Sequence, residues 1–311
     1  MRAGAILGAL AFVILVSGAA VRASAEQTSL RVGAIDAVLT IPANVERPPV
    51  ALLIAGSGPT DRDGNGPQVK PATLRKLAEG LAERHVATLR YDKRGARGWK
   101  PEFGRPEDFR FKDFVDDVVS LSNHLRDSGK FSKLILIGHS EGGLVAILAA
   151  RRTQVDNLVL LATAARRQGD LLKEQLARQA PPATVQVLAD AIDAIMAGRI
   201  VDPAPQGLSL PPPMQPGLAS AFREDPLPPL RQIRQPILIA AGARDRQVAR
   251  ADFDGLAAAA PAAKTLWLAD MNHVLVDVAD ETYDLAAYNQ PERALDASLM
   301  DSVAAFVLET R

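Results

Sequence analysis

Residues Gly138-His139-Ser140-Glu141-Gly142 follow the apolar run Leu134-Ile135-Leu136-Ile137 and lead into the helical stretch Leu144 to Ala150. A serine two residues from a glycine on each side, at a strand-to-helix junction, has the spacing of a nucleophile on a sharp turn. Such a turn strains the serine backbone and lifts its hydroxyl clear of the strand. The residues two before and two after crowd together, where only a hydrogen fits in place of Cβ. The hydroxyl is a poor nucleophile until a base takes its proton, and a third group must hold that base.

The chain has four histidines, so the base can be sought by elimination. His139 adjoins the serine and is expected to turn its side chain away from the elbow. His85 and His124 fall near the ends of expected helices, where a solvated or structural role is the default. His273 follows the strand-like run Thr265–Leu268, within Asp270-Met271-Asn272-His273. That places it at the carboxyl edge of a sheet, the same edge as Ser140, as general base. The orienting acid should end another strand there. Asp245 does so after Pro236–Ile239; Asp270, three residues before the base, competes for the role but is read as a loop or solvent-facing group.

A carbonyl attacked by serine becomes an oxyanion and needs N–H donors already in place. One expected donor is the amide of Glu141. The other is expected from the loop Gly56-Ser57-Gly58-Pro59, where Pro59 has no N–H, Ser57 is the first choice and Gly58 the second. Two motifs nearby fail on inspection. Asp61-Arg62-Asp63-Gly64-Asn65-Gly66 opens like a calcium loop, but Ala72 stands where the bidentate glutamate belongs. Gly56-x-Gly58 has Asp61 in place of the third glycine of a dinucleotide fingerprint. No metal and no cofactor is therefore expected.

Strand-length apolar runs alternate with amphipathic segments to position these groups. Leu30–Ile35 and Val38–Ile41, flanking Asp36-Ala37, read as an antiparallel hairpin. Val50–Ala55 reads as a strand buried on both faces. Helices are expected after Pro71, with Leu74, Leu77, Ala78, Leu81 and Ala82 on one face, and along Phe111, Phe114, Val115, Val118, Ser122 and Leu125, closed by Ser128-Gly129. Strands Ala87–Tyr91, Leu134–Ile137, Leu158–Ala162, Pro236–Ala241 and Thr265–Leu268 and a final helix Leu299–Leu308 complete the rhythm. This order implies an α/β fold: a mostly parallel, doubly wound sheet with helices on both faces. The rhythm breaks over residues 166–230, which hold helical segments at Leu171–Gln179 and Thr184–Met196 and then six prolines between 203 and 216. That stretch reads as a helical cap inserted into a core of residues 26–165 and 231–311. Its Met196, Met214, Leu218 and Phe222 are candidate apolar wall residues.

The 36 basic and 36 acidic side chains balance and form no basic stripe, so nucleic acid is not an expected partner. Residues 1–25 read as a signal peptide: Arg2, an uncharged apolar run from Ala5 to Val16, and Ala23-Ser24-Ala25 before the cleavage point. The run is short for a membrane span, and no cysteine exists for lipid attachment. An exported protein, periplasmic or secreted and without a stable membrane anchor, is expected. Oligomeric state is not legible.

With the elbow, Asp245 and His273 in the order Ser…Asp…His, the chain resembles the α/β-hydrolase superfamily, and within it bacterial EstD-like or serine-aminopeptidase-like esterases. The resemblance rests on the segment from Ile54 to Asn65, on Arg90-Tyr91-Asp92-Lys93-Arg94-Gly95, on Gly138 to Gly143, and on Asn272-His273-Val274-Leu275 and Tyr288-Asn289-x-Pro291. It implies an α/β-hydrolase fold with a small-molecule ester as substrate, hydrolysed by the triad Ser140, Asp245 and His273. Trp99 stands where relatives often carry serine, so it joins Gly58, Met214 and Phe222 as a candidate substrate contact. The same acyl-enzyme could pass its acyl group to an amine or arise from a peptide. Rival readings are a non-catalytic binding protein on this scaffold and a nucleotide-binding α/β protein, the latter disfavoured by the missing glycine.

Overall fold

A computed structural model describes residues 25–179, 181–206, 210–280 and 284–309. The expected leader lies outside the described residues, apart from Ala25. The chain opens with a hairpin, β1 (Glu26–Val32) and β2 (Ile35–Ile41), paired antiparallel from Glu26↔Ile41 to Val32↔Ile35. The turn is at Gly33-Ala34, not at the expected Asp36-Ala37. A two-residue hairpin loop needs a positive φ at its first central residue, and Gly33 supplies +57°.

There follow β3 (Val50–Ile54), α1 (Thr73–Ala82), β4 (Ala87–Tyr91), α2 (Lys112–Asp127), β5 (Leu134–His139), α3 (Glu141–Ala150) and β6 (Asn157–Leu161). Between β6 and the next strand lie α4 (Gln168–Gln179), α5 (Pro182–Met196), α6 (Gln215–Phe222) and the short α7 (Leu227–Leu230). The chain then resumes with β7 (Ile237–Gly242), α8 (Arg250–Ala259), β8 (Lys264–Leu268), the short α9 (Asp284–Ala287) and α10 (Ala297–Glu309). The eight strands form one sheet in the order β1-β2-β4-β3-β5-β6-β7-β8. It is parallel from β4 through β8, with β1 and β2 antiparallel at one edge.

The continuous apolar strands are explained by burial on both faces. Val50, Leu52 and Ile54 pack into one cluster, with Val115 and Val118 of α2 and Val145 of α3. Ala51 and Leu53 pack into the other, with Leu74, Leu77 and Leu81 of α1 and Val303 and Phe306 of α10. The alternation repeats along β5, where Leu136 joins the first layer and Ile135 and Ile137 the second. Such a sheet aligns the carboxyl ends of β3 through β8 along one edge. Helices α4, α5 and α6 pack on one another. No helix among the described residues is long and apolar enough to cross a membrane.

Candidate functional site

The elbow forms because three backbones converge where the sequence has no side chains. Ser140 has φ 55° and ψ −122°, a conformation costly for a residue with a Cβ, and α3 begins at the next residue. A Cβ at Gly138 would collide with the Gly142 carbonyl, and one at Gly142 with the Ile54 carbonyl at the end of β3. Close approach of β3, β5 and α3 is thus possible only with glycine at both positions. The Ser140 amide donates to Leu161 O of β6 at 2.8 Å, tying the turn to the neighbouring strand.

Asp245 and His273 come together from the loops after β7 and β8. Gly242 makes the approach possible: a Cβ there would overlap the Met271 carbonyl. Across the contact, Arg244 N donates to Met271 O at 3.1 Å. His273 Nδ1 donates to Asp245 Oδ2 at 2.8 Å. Asp245 Oδ1 accepts the amides of Gln247 at 2.7 Å and Val248 at 2.9 Å, and its side chain is fully buried. With Nδ1–H committed to a carboxylate, the lone pair of His273 sits on Nε2, the form a general base requires. Asn272 shapes the loop, accepting the amides of Val274 and Val276 on Oδ1 and donating to Asp284 Oδ1 at 2.9 Å. The competing Asp270 is 64% exposed and faces Arg244 at 3.9 Å. It does not join this cluster.

His139 departs from the expectation that it turns away. Its ring lies 5.0 Å from the His273 ring, centroid to centroid, and its Nε2 is 2.7 Å from His273 O. A carbonyl can only accept, so Nε2 carries the proton. Burial pushes this imidazole down to about 4, and the neighbouring His273 adds to the shift. His139 is neutral at pH 7 and anchors the main chain of the base. Ser140 Oγ is not hydrogen-bonded to His273 in this structure; serine and base are linked through this His139 contact.

The loop after β3 runs beside the serine. A Cβ at Gly56 would lie 3.2 Å from Ser140 Cβ. Thr60 closes the loop, donating Oγ1 to Ser57 O at 3.0 Å and its amide to Gly58 O at 2.9 Å. Gly58 takes φ +83°. Neither the Ser57 nor the Gly58 amide donates to another group among the described residues, and Glu141 opens α3, where an amide has no intrahelical acceptor. The Asp61–Gly66 stretch is held by its own side chains: Asp61 Oδ1 accepts the amides of Asp63 and Asn65, and Arg62 pairs with Asp92 at 2.6 Å.

Ser140 opens onto a cavity of about 480 Å³ between the sheet edge and α4 and α6. Ser57, Gly58, Trp99, Glu141, Met214, Leu218 and Phe222, all candidates from sequence, line it. Met196 does not; its sulfur packs against Gly169, and it belongs to the core of the helical layer. Trp99 is fixed by its Nε1, which donates to Gly104 O at 2.7 Å, and by edge contacts with Phe103 and Phe109. The Tyr288-Asn289 motif braces the site from behind: Tyr288 OH accepts from Gln247 Nε2 at 2.6 Å, and Asn289 Oδ1 accepts the Lys70 amide at 3.0 Å. Two residues escaped sequence reasoning as parts of the site, His139 and Lys93. Lys93 Nζ donates to both Gly56 O and Glu141 Oε1 at 2.7 Å. The signal for His139 was its place beside the serine, and for Lys93 its place in the Arg90–Gly95 segment that carries the resemblance.

Residues 51–285 match the alpha/beta hydrolase family. Esterase EstD of Thermotoga maritima is 28% identical over 155 residues, 49% of this chain and 36% of that protein, so the chain spans little more than a third of that relative's length. Among solved structures, Est1E from Butyrivibrio proteoclasticus with bound ferulic acid superposes with a TM-score of 0.59 at 19% identity, covering 91% of this chain and 98% of that one. A puromycin-hydrolyzing peptidase of Mycobacterium tuberculosis gives 0.58 at 17% identity, covering 92% of this chain and 39% of that one. At these identities the likeness is one of fold.

Proposed function

The chain belongs to the alpha/beta hydrolase family, and from that premise we propose that it hydrolyses small-molecule carboxylic esters through an acyl-Ser140 intermediate. The observation that carries this reading is the 2.8 Å bond from His273 Nδ1 to a buried Asp245, at the sheet edge that bears the strained Ser140. It leaves Nε2 as the nitrogen with a lone pair to take a proton, on a loop at the edge that carries Ser140.

In the first half-reaction Oγ of Ser140 attacks the ester carbonyl while His273 Nε2 takes its proton. The negative charge that develops on the carbonyl oxygen is met by the amides of Ser57 and Glu141. Collapse breaks the bond to the alcohol oxygen, which leaves with the proton from His273. Water then repeats the sequence on the acyl-enzyme, and His273 takes its proton and returns it to Ser140. Asp245 stays ionised, holds the tautomer and stabilises the imidazolium. The cavity wall of Leu171, Leu172, Met214, Leu218 and Phe222 suits an apolar arm on the ester.

Ser140→Ala is expected to abolish turnover of a short p-nitrophenyl ester, with kcat down by about a million-fold, as when a triad serine is removed. Circular dichroism should show the fold retained. Hydrolysis persisting in that variant would remove Ser140 from the mechanism.

A further inference from the structure

Lys93 lies on the turn after β4, in a segment the mechanism above leaves unused. Its side chain is 2% exposed, and the 2.7 Å bond to Glu141 joins it to a carboxylate that is itself 9% exposed. A buried ammonium is tolerated only when its donors are taken up. Here the acceptors are Gly56 O and Glu141 Oε1, each at 2.7 Å, and the Phe114 ring, whose centroid is 4.2 Å away.

Both polar acceptors adjoin the amides that would face the oxyanion. The Gly56 carbonyl and the Ser57 N–H belong to one peptide unit, which is planar and trans, so they point in opposite directions. Drawing the carbonyl onto Lys93 therefore aims the N–H the other way. That loop needs such a tie, because it passes through Gly56 and Gly58, whose wide conformational freedom fixes no one geometry. On the other side, Glu141 is the first residue of α3, and its second oxygen accepts from Gln168 Nε2 of α4 at 2.9 Å. One ammonium thus spans the two backbone segments whose spacing defines an oxyanion pocket.

We propose that Lys93 is a positioning residue that sets the direction of the Ser57 amide and its distance from the Glu141 amide. The proposal rests on the ester-hydrolase reading. It separates Lys93 from an ordinary buried ion pair, whose loss would lower stability without acting selectively on the transition state.

The test is Lys93→Met in the full chain, assayed with the same p-nitrophenyl ester and with a trifluoromethyl ketone of matching shape, which binds as a tetrahedral adduct of serine. Removing one oxyanion donor costs about 100-fold, so kcat should fall by roughly 10- to 100-fold. KM should stay within about threefold, because ground-state contacts are untouched. Ketone affinity should fall by the same factor as kcat/KM. An unchanged kcat, or a lower kcat with undiminished ketone affinity, would overturn the assignment. If the single variant fails to fold, Lys93→Met with Glu141→Gln removes both charges and keeps a partner for Gln168. The same paired losses are expected there, and wild-type rates would refute the proposal. A wild-type protein inert toward esters, or an active Ser140→Ala, would sink the hydrolase reading instead. Those results are distinct from an active wild type that Lys93→Met leaves unaltered.

Discussion

The sheet edge and the helical layer over it are built on different principles. At the edge, each group is held by directed bonds: Asp245 by two amides and an imidazole, the His273 carbonyl by His139, the Gly56 carbonyl by Lys93. Glycines at 138, 142 and 242 admit backbone where any Cβ would collide. The layer of α4, α5 and α6 instead offers the cavity an apolar wall. It joins the core by polar contacts at its margin. Arg166 forks onto the buried Asp252 at 2.8 and 2.7 Å, Gln175 reaches Gln247 O at 3.2 Å, and Arg178 reaches Arg246 O at 3.1 Å. Proton transfer and oxyanion binding depend on angle and distance, which hydrogen bonds supply. Apolar recognition depends mainly on volume, which many side-chain sets can fill. The two regions should therefore respond to mutation in different quantities: rate for the edge, substrate preference for the layer above.

The largest contrast is expected at Asp245. In Asp245→Asn the amides of Gln247 and Val248 still demand an oxygen at Oδ1, so the side-chain NH₂ must face His273. That NH₂ donates to Nδ1 and drives the proton to Nε2, the wrong tautomer for a base. A loss in kcat of about 10⁴ is expected, the size seen for the equivalent change in a serine protease. KM should be little altered across acyl lengths. A loss below about tenfold would mean that the buried carboxylate does not orient the base.

What was legible in the sequence follows the same division. Strand-length runs placed every strand of the parallel sheet within a residue or two; in β3, β5, β6 and β7 burial on both faces leaves a nearly unbroken apolar signature, whereas the edge strand β8 is only partly buried. Ser140, Asp245 and His273 could be placed because each sits just past such a run. The hairpin turn lies three residues before the expected Asp36-Ala37, because the loop is set by the positive φ that Gly33 supplies. Helix α6 was hidden in the proline-rich passage; Pro216 is tolerated in its first turn, where an amide has no acceptor anyway. The contacts that Lys93 and His139 make were out of reach. Their partners are main-chain carbonyls 37 and 134 residues away, and a carbonyl leaves no mark on sequence.

A smaller effect, on stability, is expected from His139. Burial pushes its pKa down to about 4, while the unfolded chain titrates near 6.5. Between those values the unfolded state binds the proton and the folded state resists it. The stabilisation is therefore complete above pH 6.5 and is lost as pH falls towards 4, about 3 kcal/mol over the window. His139→Gln keeps a donor for the His273 carbonyl but cannot titrate. Urea unfolding at pH 7, 5.5 and 4.5 should show a shallower decline for the variant than for the wild type. Parallel curves would show that His139 is accessible to protons in the folded protein. The edge would then be less dry than its bonding implies.

The smallest effect should come from the apolar wall, and it should take the other form. Leu218→Trp adds bulk to the 480 Å³ cavity without touching a hydrogen bond of the edge. Losing room for one or two methylenes costs about 1–3 kcal/mol, so kcat/KM for an octanoyl p-nitrophenyl ester should fall roughly tenfold. The acetyl ester, which needs little of the cavity, should keep its value within about twofold. Met196→Leu, a change in the layer's own core away from the cavity, should move neither ester. An equal loss on both esters in Leu218→Trp would mean that the helical layer acts on the chemical step. Two direct contacts are available for that: Gln168 on Glu141, at the oxyanion side, and Gln175 on the main chain of Gln247, whose amide holds Asp245.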